Sequence, residues 1–425
     1  MASTKVFSLE GKGLKLDTAA DLEPHIAALR EMDDVEEVRL LGNTFGVGAC
    51  QLLGEVLSTK KLLRSANLAD MFTGRLLSEI PDALSSLLTS ILNLPKLTTI
   101  NLNDNAFGLN TQAPLVAFLA AHVPLQHLYL NNNGLGPHAG ILVADALSEL
   151  HAKKEAARKA GTATEVPDLE TVICGRNRLE NGSMTAWART FRLHNHVKEI
   201  KMVQNGIRQE GISHLLSEGL QDATGLRVLD LQDNTFTLAG ARALAGVVPR
   251  WTAIEELGVG DSLLSAKGGV LLAEALAQGQ NKKLQVLRLQ YNDITAPGLK
   301  ALARAVDTAL PLLQKLEVNG NKFSEDDEAV VVLQELFEAR KEALAGDVVD
   351  EDAWGLDSLS DLEDDSDEED EEGEESDDEN EDEITTEERA EKLIKEAEEA
   401  QEEPVIQEKD KEVDDLAKAL EKTAI

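Results

Sequence analysis

The sequence contains few residues of the kinds that cross-link a fold or anchor it in a membrane. Cys50 and Cys174 are the two cysteines among 425 residues, too few and too far apart for a disulfide framework or a zinc site. Aromatic residues make up 3% of the chain, and no apolar run is long enough to span a bilayer. The first 20 residues have no apolar segment typical of signal peptides. We therefore expect a soluble protein of a reducing compartment, with no membrane partner.

Motifs of self-contained enzymes are missing as well. The sequence has no G-x-x-x-x-G-K-[ST] loop, no H-E-x-x-H and no G-x-S-x-G. Its eight histidines are scattered, and the closest pair, His194 and His196, is expected at the surface without a metal. We expect a chain that binds another protein and carries no metal or cofactor of its own.

Negative charge divides the chain into parts. The formal net charge is −37, and residues 350–383 hold 22 acidic residues and no lysine or arginine. We therefore place a repeat domain at residues 1–345, an acidic disordered segment at 346–383 and a charged, weakly helical tail at 384–425. Such an excess of negative charge repels nucleic acid and attracts basic protein surfaces.

The body of the chain repeats the leucine-rich template L-x-x-L-x-L-x-x-N. Two degenerate copies carry Met71 and Ser262 in the asparagine slot. Most steps between successive slots are 28 to 30 residues, and two are longer, at 34 and 44 residues. Ten copies at this period predict a repeat protein. The other eight copies end at Asn43, Asn105, Asn133, Asn177, Asn205, Asn234, Asn292 and Asn321.

The spacing within a repeat predicts one short strand followed by one helix. Leu226, Leu229 and Leu231 take inward strand positions, and residues 238–248 have an apolar helical period. Stacked units of this kind curve, with parallel strands on the concave face and helices outside. The predicted fold is an α/β leucine-rich-repeat solenoid of about 10–11 repeats, a horseshoe like that of ribonuclease inhibitor.

Three segments lie outside the regular repeat. A partial copy around Phe7 and Leu9 is expected to cap the N-terminal end, and the apolar-periodic segment Val330 to Ala343 the C-terminal end. The 44-residue step contains an insertion, His151 to Val166, that reads as a longer helix and a loop. Its basic residues, among them Lys154, are either a contact surface or plain surface decoration.

Two places depart from the repeat in ways that indicate function. Met71 to Arg75 follows the second strand without a ladder asparagine, and we expect Arg75 to be exposed after Gly74. The second place is Asn132, which precedes the ladder residue Asn133. The residue at that position varies between repeats and is mostly polar, which indicates an exposed rim available to a partner. From the residues alone, function and surface filler are equally open for Asn132 and for Arg75.

The same stretches resemble the fungal-type Ran GTPase-activating proteins. The resemblance covers roughly residues 1–340, and the acidic tail matches in kind. ICGRNRLENGSM is not generic repeat consensus, so the match is specific. The matching strings include MFTGR from Met71, LYLNNNGLGPHAG from Leu128, ICGRNRLENGSM from Ile173 and VLDLQDNTFT from Val228.

The resemblance implies a monomeric cytoplasmic activator of GTP hydrolysis by Ran, which supports the directionality of nucleocytoplasmic transport. GTP and magnesium would be bound by Ran, with or without a Ran-binding accessory protein in the complex. The functional asparagine of the family falls on Asn132, which implies that its amide positions Ran's catalytic glutamine. The important arginine falls on Arg75 and is implied to support the interface, although the residues alone would make it an inserted finger. Five residues expected on the rim near these two are the candidates for binding the switch regions of Ran, chosen by position and polarity: Asp70, Asp104, Arg176, Asp230 and Asp233.

Two other classes of function stay open on the sequence. A scaffold like ribonuclease inhibitor would bind a partner tightly without promoting turnover, but such inhibitors are usually rich in cysteine. An acidic leucine-rich nuclear protein that shields histones would share the tail. That family uses shorter and fewer repeats, and the period of 28 to 30 residues counts against it.

Overall fold

The computed structural model describes residues 5–108, 111–161, 166–344 and 353–363. Within these residues twelve strands form one parallel sheet in chain order, and β2 and β4 form a second, two-stranded sheet. The strands are β1 Val6–Ser8, β2 Lys15–Leu16, β3 Glu37–Arg39, β4 Thr44–Phe45, β5 Ser65–Asn67, β6 Thr99–Asn101, β7 His127–Tyr129, β8 Thr171–Ile173, β9 Glu199–Lys201, β10 Val228–Asp230, β11 Glu256–Gly258, β12 Val286–Arg288, β13 Lys315–Glu317 and β14 Gly355–Leu356.

Helices connect the successive strands. A π-helical turn, Leu215–Leu220, continues α7, and a 3₁₀ turn, Val248–Arg250, continues α8. No helix in the described ranges is long and apolar enough to cross a membrane. The helices are α1 Ala19–Glu31, α2 Val47–Ser58, α3 Ile80–Ile91, α4 Gln112–Leu119, α5 Gly136–Ala160, α6 Glu180–Leu193, α7 Gln209–His214, α8 Thr237–Val247, α9 Ser265–Ala277, α10 Ala296–Thr308 and α11 Glu328–Leu344.

The leucine spacing produces this architecture because each strand is short and buries its middle residue. Leu226, Leu229 and Leu231 are all fully buried, as the alternation predicts. Neighbouring strands pair residue for residue, for example Leu229 of β10 with Leu257 of β11. The apolar residues form one continuous core between the sheet and the helices. The predicted leucine-rich-repeat fold is confirmed.

The slot asparagines form a buried ladder that fixes the turn after each strand. The Asn133 amide nitrogen donates to the carbonyls of Leu102 and Leu130 at 3.0 and 2.9 Å. Its amide oxygen accepts the backbone N–H of Asn105 at 3.0 Å. One side chain thereby satisfies backbone groups of two neighbouring repeats, which is why asparagine recurs at a position with no access to solvent.

Each end of the described sheet carries a strand beyond the ten regular repeats. The partial N-terminal copy forms β1, which pairs with β3 and buries Phe7 and Leu9 as expected. At the other end, α11 is followed by β14, which pairs with β13. The sheet therefore extends further along the chain than the expected boundary near residue 345. The remainder of the predicted acidic segment and the tail from 384 lie outside the described residues.

The insertion does not present all of its basic residues to a partner. Its helical part extends α5 to Ala160, as expected, but the Lys154 side chain is buried. Lys154 Nζ lies within hydrogen-bond distance of the carbonyls of Val123, Leu125 and Pro167, each at 2.7 Å. These carbonyls belong to turns before β7 and β8, so Lys154 joins the insertion to the repeats.

His194 also differs from the expectation of a surface residue. It is 5% exposed, and its Nε2 lies 2.8 Å from the Leu147 carbonyl, while His196 is exposed. Burial lowers the pKa of His194 to about 4, so the ring is neutral. The sequence did not reveal this role because the ring's partner lies one repeat away.

Candidate functional site

One loop position has the same unusual backbone in every repeat. The residue directly before each ladder slot has a positive φ, between 47° and 73°. This left-handed conformation suits glycine, asparagine and aspartate, which fill seven of these ten positions. Its side chain points to solvent at Asn132 and at most other members, as the rim hypothesis predicts. We call this set the rim row: Gly42, Asp70, Asp104, Asn132, Arg176, Gln204, Asp233, Asp261, Tyr291 and Gly320.

Asn132 is held in one orientation by its neighbour in the row. It is exposed, its φ is 54°, and its Nδ2 donates to Asp104 Oδ1 at 2.9 Å. Because a carboxylate only accepts hydrogen bonds, the amide nitrogen must face Asp104 and the amide oxygen faces away. Among the described residues, no donor bonds the Asn132 amide oxygen, which leaves this acceptor at the surface.

A second row of amides fixes the backbone beneath Asn132. Asn103 Oδ1 accepts the N–H of Asn131 at 2.7 Å, and Asn131 Oδ1 accepts the N–H of Gly175 at 2.6 Å. A Cβ on Gly175 would lie 2.9 Å from the Val203 carbonyl oxygen, so this position needs glycine. The Asn132 N–H donates to the Gly175 carbonyl at 2.9 Å. The loop that carries Asn132 is thus bonded to the repeats on both sides.

Arg75 is not exposed, contrary to the sequence expectation. Its side chain is 8% exposed, with Nε donating to Thr44 Oγ1 at 2.8 Å and Nη2 to the Thr44 and Leu16 carbonyls at 3.0 and 3.2 Å. Its Nη1 pairs with the Asp17 carboxylate. Gly46 makes this approach possible, because a Cβ there would stand 2.5 Å from the Asp17 carbonyl oxygen. Arg75 therefore ties the second repeat loop to the small sheet of β2 and β4.

The remaining predicted residues do not form a single cluster. Asp70 belongs to the rim row and accepts a hydrogen bond from Thr73. Asp104 holds Asn132, and Arg176 follows one repeat later, about 5 Å along the sheet. Asp233 lies three repeats from Asn132, about 14 Å along the sheet.

Asp230 requires a correction. It is the last residue of β10, where its side chain is half-buried, and it is not a member of the rim row. Its Oδ1 accepts Gln232 Nε2 at 3.0 Å, so part of its bonding capacity is used internally. Asp230 is polar and only three residues before Asp233, but it lies in the strand and Asp233 lies in the loop after it.

Comparison with known proteins agrees with this geometry. A leucine-rich-repeat family model matches residues 224–245 and 280–303. A curated Saccharomyces cerevisiae protein, Ran GTPase-activating protein 1, is 39% identical over 342 residues, which covers 79% of this chain and 82% of the yeast protein. The chain belongs to the Ran GTPase-activating protein family.

Animal members of the Ran GTPase-activating protein family match over a smaller part of their length. The Xenopus laevis protein is 42% identical over 203 residues, covering 47% of this chain and 34% of its own. The Drosophila melanogaster protein is 34% identical over 328 residues, covering 76% of this chain and 54% of its own. The similarity is thus spread over most of the solenoid.

Several residues around this candidate site carried no signal that sequence reasoning used. Asp17 and Thr44 hold Arg75 from 58 and 31 positions away in the chain. Asn131 looked like part of a run of three asparagines, and only the structure separates its role from that of Asn132. The rim row itself carried a signal, since glycine, asparagine and aspartate recur before each slot and together indicate a positive φ.

Proposed function

We propose that this protein stimulates GTP hydrolysis by Ran and acts in trans on the GTPase, without a self-contained catalytic site. Membership of the Ran GTPase-activating protein family supports the choice of partner. The observation that carries the mechanism is the oriented, exposed amide of Asn132. A surface asparagine held by a carboxylate at 2.9 Å is suited to positioning another polar side chain.

The chemistry belongs to the GTPase. In GTPases of this class, the P-loop and magnesium hold the nucleotide, and a glutamine of the GTPase orients the attacking water. Asn132 Oδ1 would accept a hydrogen bond from the carboxamide N–H₂ of that glutamine and hold it in its productive rotamer. The catalytic gain then comes from positioning, which can account for several orders of magnitude in rate.

Arg75 acts through the fold in this proposal. Its guanidinium is occupied by Asp17, Thr44 and Leu16, so insertion into the nucleotide site of the GTPase would break at least four contacts. We propose that Arg75 holds the loop after β5 in place on the same rim as Asn132. Asp70, Asp104, Arg176 and Asp233 then serve as contacts along the rim.

The setting follows from this function. The protein would act as a cytoplasmic monomer on Ran–GTP, alone or with a Ran-binding accessory protein, and would contribute to the direction of nucleocytoplasmic transport. Neither nucleic acid nor a membrane is needed as a partner, and GTP and magnesium enter only with Ran.

The test is GTP hydrolysis by Ran with catalytic amounts of wild type and of Asn132→Ala. We expect kcat to fall about 100-fold or more in the variant, because a misplaced glutamine no longer orients water. Asp293→Ala is the matched control, since Asp293 also has a positive φ, 56°, but lies beyond the rim row and pairs with Lys322. We expect kcat of this control to stay within about twofold of wild type.

Two outcomes contradict the proposal in different ways. Failure of the folded wild-type protein to stimulate Ran, despite binding it, would leave the solenoid as a scaffold without activating function. A normal kcat in Asn132→Ala would retain the activator and remove the asparagine from the mechanism.

A further inference from the structure

Unpaired arginines are concentrated on one stretch of the rim. Four arginine side chains among the described residues have neither a hydrogen bond nor an ion pair: Arg176, Arg178, Arg208 and Arg304. The first three lie in the loops after β8 and β9, two adjacent repeats, and all are exposed. Arg304 lies apart, on α10. Most other arginines in this part of the chain have a carboxylate partner, for example Arg227 with Glu255 at 2.7 Å.

The backbone at this stretch is unfavourable for the residues it carries. Arg176 and Arg178 have φ of 55° and 54°, in a region where arginine is disfavoured and glycine is not. Tyr291, another bulky member of the rim row, is stabilised by a contact within the chain, since its hydroxyl donates to Asp361 at 2.7 Å. Neither arginine side chain has such a contact with the part of the chain that the structure describes. A conformational cost without an internal contact to offset it suggests an external partner.

The surroundings define what kind of partner fits. Asn132 precedes this patch by one repeat, and its N–H bonds the carbonyl of Gly175, the residue before Arg176. On the other side, Asp233 and Asp261 line, together with Arg178, a groove of about 450 Å³. Along the rim, the carboxylate of Asp104 is followed by the amide of Asn132, then by the arginines, and then by the carboxylates of Asp233 and Asp261. An acidic element with basic neighbours would complement that order.

We infer that Arg176, Arg178 and Arg208 form a docking patch for an acidic surface element of the GTPase, and that this patch sets affinity and orientation. The inference rests on the proposed function. It joins Arg178 and Arg208 to the rim contact Arg176 and gives the three a role that differs from that of Asn132. The purely acidic residues 364–383 of this chain are a poorer occupant. The described chain ends at the last repeat, where the Glu363 N–H donates to the Asn321 carbonyl. Asp233 and Asp261 lie between that repeat and the patch, and their carboxylates would repel an acidic segment.

The experiment compares GTP hydrolysis by Ran, at varied Ran–GTP concentration, for wild type, Arg176→Glu/Arg178→Glu and Arg304→Glu. We expect KM to rise at least about tenfold in the double variant, with kcat within about twofold of wild type, because reversed charges weaken encounter and binding. The salt dependence of kcat/KM should also become weaker. Arg304→Glu, at an arginine that is also exposed and unpaired among the described residues, should match wild type. Arg176→Lys/Arg178→Lys keeps the charge and should retain most of the affinity.

The outcomes separate the docking patch from the proposed function. An unchanged KM in the double variant, with active wild type, would overturn the docking patch and leave the activator intact. A lower KM would also overturn it, since the patch would then be holding an acidic segment of this chain. A fall in kcat equal to that of Asn132→Ala would place the arginines in the chemical step. Inactive wild type would remove the proposed function, and the docking patch with it.

Discussion

At the scale of single residues, the site depends on contacts that fix side chains before a partner arrives. Asn132 is oriented by Asp104, and its loop is held by Asn131 and Gly175. Arg75 is the contrasting case, a residue implicated in function whose contacts are all internal. In the proposed function, Asn132 therefore acts by touching the partner, and Arg75 by holding the surface that the partner meets.

This difference predicts how Arg75 behaves in a mutant cycle. Arg75→Ala should lower the free energy of unfolding by about 2–4 kcal/mol, because a buried guanidinium leaves Thr44 and Leu16 groups without their partner. Asp17→Asn, at a half-exposed carboxylate, should cost only about 0.5–1 kcal/mol and should lower GTP hydrolysis in the same direction. Denaturant unfolding and hydrolysis assays measure both. The double variant should be less destabilised than the sum of the two single variants.

An arginine finger would give a different pattern. It would be indifferent to Asp17→Asn, and Arg75→Ala would abolish stimulation without loss of stability. Lys15→Ala is a suitable control, since this exposed neighbour lies in β2 but makes only a 3.9 Å ion pair with Asp17.

At the scale of elements, the strands and helices could be predicted from the leucine spacing, because burial of every third or second position leaves a visible period. Leu229 and its equivalents needed nothing beyond that period. The exposure of Arg75, Lys154 and His194 could not be predicted in the same way. Their partners are backbone carbonyls or side chains of neighbouring repeats, and a carbonyl acceptor leaves no mark in the sequence.

The insertion helix α5 offers a test of such a hidden contact. Lys154→Met should destabilise the protein by about 1–3 kcal/mol, because three carbonyls lose their donor. Burial lowers the pKa of Lys154 to about 7 from 10.5. Between those values the unfolded chain binds a proton that the folded chain does not, so wild-type stability should rise with pH. Relative to the variant, the rise should approach about 1.4 kcal/mol per pH unit between pH 7 and 9.

Thermal and urea unfolding at several pH values measure this difference. Lys153→Met, an exposed neighbour, should leave the stability and its pH dependence unchanged. The difference in free energy of unfolding between wild type and Lys154→Met could instead stay constant from pH 7 to 9. That result would mean that the three carbonyls keep Lys154 protonated despite its burial.

At the scale of the whole molecule, the described solenoid is a stack in which each strand of the large sheet pairs only with its neighbours. The strand order follows the chain from β1 to β14, so no long-range pairing joins the two ends. Stability in such a stack is local, and damage at one end should spread only a few repeats. The last strand, β14, is therefore a place where the C-terminal end can be loosened without disturbing Asn132, whose loop follows β7, seven strands away.

Asp357 is the residue to change, because its carboxylate accepts backbone N–H groups just after β13. Its Oδ1 accepts the N–H of Val318 at 2.8 Å and its Oδ2 accepts that of Asn319 at 3.1 Å. Asp357→Ala should cost about 1.5–3 kcal/mol in the C-terminal repeats, as expected for hydrogen bonds to a charged acceptor. Hydrogen exchange should show lost protection in β13 and α11, with β5 to β9 unchanged and kcat for Ran preserved. Ser358→Ala, at the exposed next residue, is the control. Uniform loss of protection from β1 to β13 would instead show that the solenoid unfolds as one cooperative unit, in which case the end strand would stabilise the distant site as well.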